Sequence, residues 1–180
     1  MRGAAGDVRL ADERAAREAI ARVCRRLWER GLIAGPDGNV SVRLDAERLL
    51  VTPSGGAKVD VTPEALLVVD TSTGAVRDGT GRASSELAMH LAIYRVRADV
   101  AAVVHAHPPT ATGFAVAGET IPDDVLPEVI CQMGAVALVP YFTPGTRAAE
   151  AAFAPYLPHH EAFLMANHVA TTVRPTLAEA

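Results

Sequence analysis

The fold this sequence predicts is a layered α/β domain built on a largely antiparallel sheet. Three observations carry that expectation. Short apolar runs rich in valine and leucine recur along the chain, each bounded by turn residues. Only a few helical patterns stand between them. The connections are mostly too short for the crossovers of a doubly wound parallel sheet. At 180 residues and 49% apolar composition, the chain suits one domain with a core that needs no staples.

Residues 1–10 are expected to form a flexible tail and residues 11–180 the domain. Across residues 11–30, Ala16, Ala19, Ile20, Val23 and Leu27 recur at helical spacing, and Gly31 ends the pattern. Gly35-Pro36-Asp37-Gly38 reads as a turn into a strand over residues 40–44. Residues 49–51 form a second strand, closed by Thr52-Pro53-Ser54-Gly55-Gly56. Residues 66–70 form a third, and Ser72-Thr73-Gly74 turns it into Ala75-Val76-Arg77. Ser84-Ser85-Glu86 opens a helix reaching about residue 97, with a serine as cap and Glu86 in the first turn, where a carboxylate suits the helix dipole. The run over residues 100–104 is a buried strand that leads into His105-Ala106-His107 and stops at Pro108-Pro109. A helical patch follows near residues 110–117, a strand at 136–139, a short helix over 146–154 and a strand over 162–168 that ends in histidine. Residues 176–180 look like the first turn of a further helix.

The chemistry concentrates at the histidines. Side chains two apart on a strand point the same way, so His105 and His107 present two imidazoles to one side, half of a divalent metal site. The plainer reading is that one packs and the other is solvated. His168, at another strand end, offers a third imidazole, and three histidines leave a metal with an open position, the pattern of a catalytic centre. Glu86 is the acid/base candidate; its commoner fate is to serve the helix dipole. His90, four residues on, suits a packing or helix-face role, and His159 and His160 a solvated turn. Three turns offer backbone N–H groups and hydroxyls to an anion: Gly38-Asn39-Val40-Ser41, Thr52-Pro53-Ser54-Gly55-Gly56 and Ser84-Ser85. Each is more often only a turn. Cys24 and Cys131 lack motif spacing and read as buried thiols. The one lysine, Lys58, has no recognisable catalytic setting.

Taken in order, Gly38-Asn39-Val40-Ser41-Val42-Arg43, Thr52-Pro53-Ser54-Gly55, Ser84-Ser85-Glu86, His105-Ala106-His107-Pro108 and Asn167-His168 make a series that resembles the class II aldolase/adducin family, most of all its L-fuculose-phosphate aldolase branch. The likeness runs from about residue 11 to the C-terminus. It implies a three-layer α/β/α domain with a central, largely antiparallel sheet, assembled as a homotetramer with active sites between subunits. By the resemblance, His105, His107 and His168 hold one Zn2+ per subunit, another divalent metal being the alternative. Glu86 is the acid/base residue, and Gly38, Asn39, Ser54, Gly55, Ser84 and Ser85 bind the substrate phosphate. The implied reaction is retro-aldol cleavage of a phosphorylated ketose to dihydroxyacetone phosphate and an aldehyde, with zinc as Lewis acid and no Schiff-base lysine.

Three departures qualify that resemblance. Where fuculose-phosphate aldolases supply a tyrosine from a neighbouring subunit, this chain has Leu126-Pro127-Glu128. The residue after the third histidine is Val169 rather than glycine, and its β-branched side chain is expected to crowd the metal. The domain also looks short at its C-terminus beside its relatives. Other lyases of the superfamily therefore stay open, a sugar-phosphate dehydratase or a sugar-acid phosphate decarboxylase. A pentulose-phosphate 4-epimerase fits less well, because those enzymes carry aspartate at the position of Glu86. A non-catalytic adducin-like assembly module is the remaining alternative.

Bulk properties narrow the field. Net charge is −4 with basic residues scattered, which gives no nucleic-acid surface. No apolar run approaches the roughly 20 residues that span a bilayer. The first residues lack the apolar stretch of a signal peptide, so a cytoplasmic location is expected.

Overall fold

A computed structural model of the chain describes residues 12–122, 124, 131 and 133–180. The tail expected over residues 1–10 and the stretch Leu126-Pro127-Glu128 lie outside them. The described elements are helix α1 (Glu13–Glu29), strands β1 (Asn39–Arg43), β2 (Arg48–Val51), β3 (Leu67–Asp70) and β4 (Val76–Asp78), helix α2 (Leu87–Val96), strand β5 (Ala102–Ala106), helix α3 (Pro109–Ala117), strand β6 (Val136–Val139), helix α4 (Ala148–Phe153), and strands β7 (Ala162–Met165) and β8 (Ala170–Arg174). The strands form one sheet in the order β4-β3-β2-β1-β5-β8-β7-β6. Every neighbouring pair is antiparallel except β6 and β7. The expected largely antiparallel α/β domain is therefore what forms.

Alternation along the strands divides the core between two faces. On one face Val40, Val42, Leu50, Val68, Ala102 and Val104 pack against Ala16, Ile20 and Cys24 of α1. Farther along that face α3 sits on Ala162 and Leu164. On the other face Leu49, Val51, Leu67, Val69, Val103 and Phe163 meet Met89 and Ile93 of α2 and Phe153 of α4. Helices thus cover both faces, giving the three layers. Phe153 anchors α4 edge-on between Phe142 and Phe163, with ring centroids 5.8 and 5.2 Å away. Arg43 ties β1 to α2. Its guanidinium lies 4.7 Å from the Tyr94 ring centroid and donates to the carbonyls of Tyr94 and Val100.

The structure corrects four local expectations. The strand expected over 162–168 ends at Met165, because Asn167 takes a left-handed conformation (φ 56°) that no strand continues. Strand β8, next in the chain, is not evident from sequence. Its Thr171-Thr172-Val173 core is β-branched, but only alternate residues are fully buried, so no apolar run marks it. Cys131 is exposed, since burial follows the face a side chain takes and not the hydropathy of its sequence neighbours. His160 is half-buried rather than solvated; its ring lies against Tyr156 and Phe163, and its Nδ1 is 3.1 Å from the Tyr156 carbonyl.

Candidate metal centre and anion cavity

The site lies at one end of the sheet, where β1 begins, β5 ends and β7 turns into β8. Register builds it. Asn39 pairs with His105, His105 with Thr171 and Thr171 with Phe163, so these four side chains stand in one row on the face covered by α2. His107 follows just beyond β5, its backbone held by a 2.8 Å hydrogen bond to the Leu32 carbonyl. His168 sits in the β7–β8 turn, which is fixed by hydrogen bonds from Asn167 N to Ala115 O and from His168 N to Met165 O. The ring centroids of His105, His107 and His168 lie 5.2–5.8 Å apart, and one nitrogen from each falls within 4.8 Å of the others.

The donor set suits a divalent ion. His105 Nδ1 is 3.0 Å from Thr171 Oγ1, and the Thr171 hydroxyl donates to Met89 Sδ at 3.7 Å. That arrangement holds the ring through Nδ1 and leaves Nε2 turned inward. Nε2 is buried and lies 2.8 Å from Glu86 Oε2. Burial lowers the pKa of His107, with His105 acting the same way and Asp37 and Glu86 opposing. Burial likewise lowers that of His168, opposed by Glu86. Neutral imidazole is the form that ligates metal. Among the described residues no other cluster of this kind is present.

Glu86 stands at the entrance to α2, one residue before the helix begins, and its side chain caps nothing. Neither serine takes the cap position expected of it; the Ser84 hydroxyl accepts from the Glu86 N–H at 3.3 Å in the turn before the helix. The carboxylate turns instead into the site, with Oε1 3.3 Å from His168 Nε2 and Oε2 accepting from Asn39 Nδ2 at 2.8 Å. Burial pushes this carboxyl up, but the approach of His105, the Asn39 amide and His168 outweighs it and holds the pKa at about 2.

Behind Glu86 runs a buried relay. His90 Nε2 contacts Asn39 Oδ1, His90 Nδ1 lies 2.6 Å from Ser41 Oγ, and Ser41 Oγ lies 2.9 Å from the Tyr94 hydroxyl. Tyr94 donates to the Ser41 carbonyl. Burial, aided by His105, drops His90 to about 3, so the ring is neutral. One ordering satisfies the chain: Ser41 donates to Nδ1, Nε2–H donates to Asn39 Oδ1, and Asn39 Nδ2 donates to Glu86. The Asn39 amide is thereby fixed with its donor toward the carboxylate. A histidine kept neutral when folded binds a proton when unfolded below pH about 6.5, so stability falls as pH drops toward 3, by about 1.4 kcal/mol per pH unit for one proton. We expect urea midpoints to fall over that window, and His90→Gln to flatten part of the fall. An unchanged slope in the variant would contradict the neutral buried ring.

Beside the histidines opens a cavity of about 400 Å3. Gly38, Asn39, Ser54, Gly55, Ser84 and Ser85 all line it, together with Glu86, His107 and His168. All six residues expected to hold an anion therefore meet at one place. Gly38 has a packing reason as well. Its φ is +72°, and a Cβ there would stand 2.8 Å from both the His105 carbonyl and Ile33 Cγ2. The Ser54 N–H is already given to the Arg82 carbonyl at 2.8 Å, so Ser54 offers its hydroxyl and not its amide. Val169, expected to crowd the metal, is buried in the core with Met165 and Val173 and does not line the cavity.

Three contributors escaped the sequence reading. Asp37 lines the cavity, with Oδ2 3.9 Å from His107 Nδ1. Thr171 orients His105 from β8, the strand that no apolar run marks. Lys58 lines the cavity from a short 3-10 turn. Its one available signal was position, four residues beyond Ser54 as the sole lysine.

Residues 18–180 match the family described as Class II Aldolase and Adducin N-terminal domain. The chain is 33% identical over 172 residues to a 3-oxo-tetronate 4-phosphate decarboxylase of Escherichia coli O6:H1, covering 93% of this chain and 80% of that protein. It is 36% identical over 155 residues to a 5-deoxy-D-ribulose 1-phosphate aldolase of Bacillus thuringiensis serovar kurstaki, covering 84% and 71%. The crystal structure of YgbL from Escherichia coli superposes with a TM-score of 0.87 at 31% identity, covering 93% of this chain and 82% of that one.

Proposed function

This chain belongs to the class II aldolase and adducin family, and on that premise we propose that it is a metal-dependent carbon–carbon lyase that releases dihydroxyacetone phosphate from a phosphorylated substrate. One observation carries the reading: a single cavity joins the anion-binding turns, the imidazole cluster and an ionised carboxylate. His105, His107 and His168 would hold the metal, and zinc is our assignment because three imidazoles suit it. The ion would supply Lewis acidity to the substrate's carbonyl and neighbouring hydroxyl oxygens.

The protein's own groups do the rest. The hydroxyls of Ser54, Ser84 and Ser85 and the backbone around Gly38 and Gly55 receive the phosphate. Glu86 carries the proton. Ionised at rest and held by Asn39, it must first take up a proton, from the substrate hydroxyl in aldol cleavage or from solvent in decarboxylation, before delivering it to the carbon left by bond cleavage. The family likeness adds a homotetramer with sites between subunits to this reading.

Two leaving groups fit. Loss of carbon dioxide from a 3-oxo-tetronate 4-phosphate leaves dihydroxyacetone phosphate after one proton is taken up, and the decarboxylase relative covering 93% of this chain favours that substrate. Aldol cleavage of a 5-deoxypentulose 1-phosphate leaves the same product and an aldehyde; the 36% identical relative favours it. There the ionised Glu86 takes the hydroxyl proton and returns it to carbon, so the cycle closes inside the site. Because both routes give the same phosphate ester, the co-product must be measured. Zinc-loaded protein is offered each substrate while dihydroxyacetone phosphate is followed by coupled reduction, alongside carbon dioxide and aldehyde. We expect dihydroxyacetone phosphate, with the co-product identifying the route. Its absence with every substrate from metal-loaded protein would overturn the reading in favour of an assembly module.

A further inference from the structure

We propose that Lys58 is the charge that makes this cavity select a phosphate dianion, and that its ammonium also draws together the two loops that form the anion pocket. The inference rests on the phosphorylated-substrate reading and adds to it a residue outside the anion-binding turns.

Lys58 is buried, yet it lines the cavity. Its Nζ donates to the Pro36 carbonyl at 2.8 Å and to the Gly56 carbonyl at 3.2 Å, and its backbone N–H donates to the Gly35 carbonyl at 3.1 Å. One side chain thus bridges the turn that carries Gly38 and the loop that carries Ser54 and Gly55.

The charge argument is independent of the bridge. An ammonium has three N–H donors, and two are used here. Among the described residues Lys58 makes no ion pair within 4 Å. Cys24, on the far side, supplies no countercharge, because burial pushes its thiol up to about 11. Burial penalises this ammonium and the Asp37 carboxylate offsets that only in part, so an incoming anion lowers the remaining cost. The wall of the cavity also carries the carboxylates of Asp37 and Glu86, which repel a phosphate. Among the described residues lining it, Lys58 is the one lysine or arginine.

The test uses metal-loaded protein with inorganic phosphate and glycerol 3-phosphate as probes, bound calorimetrically at several ionic strengths. Lys58→Met is expected to weaken both by tenfold or more and to flatten the dependence on ionic strength. Lys58→Arg should recover most of both effects, and metal content should stay at the wild-type level in each. A merely structural lysine would lower the thermal midpoint but leave the ionic-strength dependence alone. Binding by Lys58→Met within threefold of wild type, with the same salt slope, overturns the assignment of Lys58 while the phosphate reading stands. Failure of wild-type protein to bind either anion overturns both.

Discussion

Glu86→Gln is expected to leave metal content and thermal midpoint near wild type while lowering turnover by about a thousandfold, within the 10²–10⁴ range typical of a lost general acid–base group. The substitution is nearly isosteric. Its carbonyl oxygen can still accept from Asn39 Nδ2, as Glu86 Oε2 does at 2.8 Å, so the relay through His90 and Ser41 has no reason to break. The variant loses only the capacity to take and return a proton. His168 Nε2, 3.3 Å from Glu86 Oε1, keeps a polar neighbour, and His105 keeps its bond to Thr171. Metal analysis and steady-state kinetics on the same preparation separate the possibilities. Retained metal with lost turnover supports the acid/base role. Joint loss of metal and turnover would make Glu86 an obligatory ligand. Turnover within tenfold of wild type would remove it from the chemistry.

The residues that came through from sequence share one physical property, a signal that is local in the chain. The valine-rich run into His105 marks β5 without reference to anything else, and the two-residue spacing places His107 beside His105. The glycine and serine turns are legible because their chemistry is backbone chemistry. Features that escaped the reading are non-local. His90 is read as a packing histidine, and it does pack, but its partners Asn39 and Ser41 lie 51 and 49 residues away on a strand brought alongside by register. Lys58 gains meaning only when the Gly35–Gly38 turn and the loop over residues 52–56 converge on it, 22 and 2 residues from its carbonyl partners. His168 reads from sequence as the end of a strand that does not reach it; the left-handed Asn167 stands between strand end and ring.

His107→Ala is expected to weaken zinc binding by more than about 100-fold and to abolish turnover. Loss of an outer-shell partner alone costs 10–100-fold, and this change removes a ligand. His107 is the informative choice among the three. His105 is fully buried, so its truncation would open a cavity in the sheet and confound folding with binding. His107 is half-buried beyond the end of β5, and its hydrogen bond to Leu32 O uses the backbone, which alanine retains. Two imidazoles remain, and Asp37, 3.9 Å from the lost ring's Nδ1, faces the cavity without belonging to the cluster of closely spaced donors. Competition against a chromophoric chelator gives the affinity, and a thermal melt of metal-free protein shows whether the fold is intact. Thr171→Val is the companion variant. It removes the hydroxyl that holds His105 Nδ1 while keeping all three rings, so its loss of affinity should fall well short of that of His107→Ala. Equal, small losses in both would mean that the three imidazoles share no ion. A large loss in His107→Ala alone, with the metal-free melt unchanged, is the result a three-histidine centre requires.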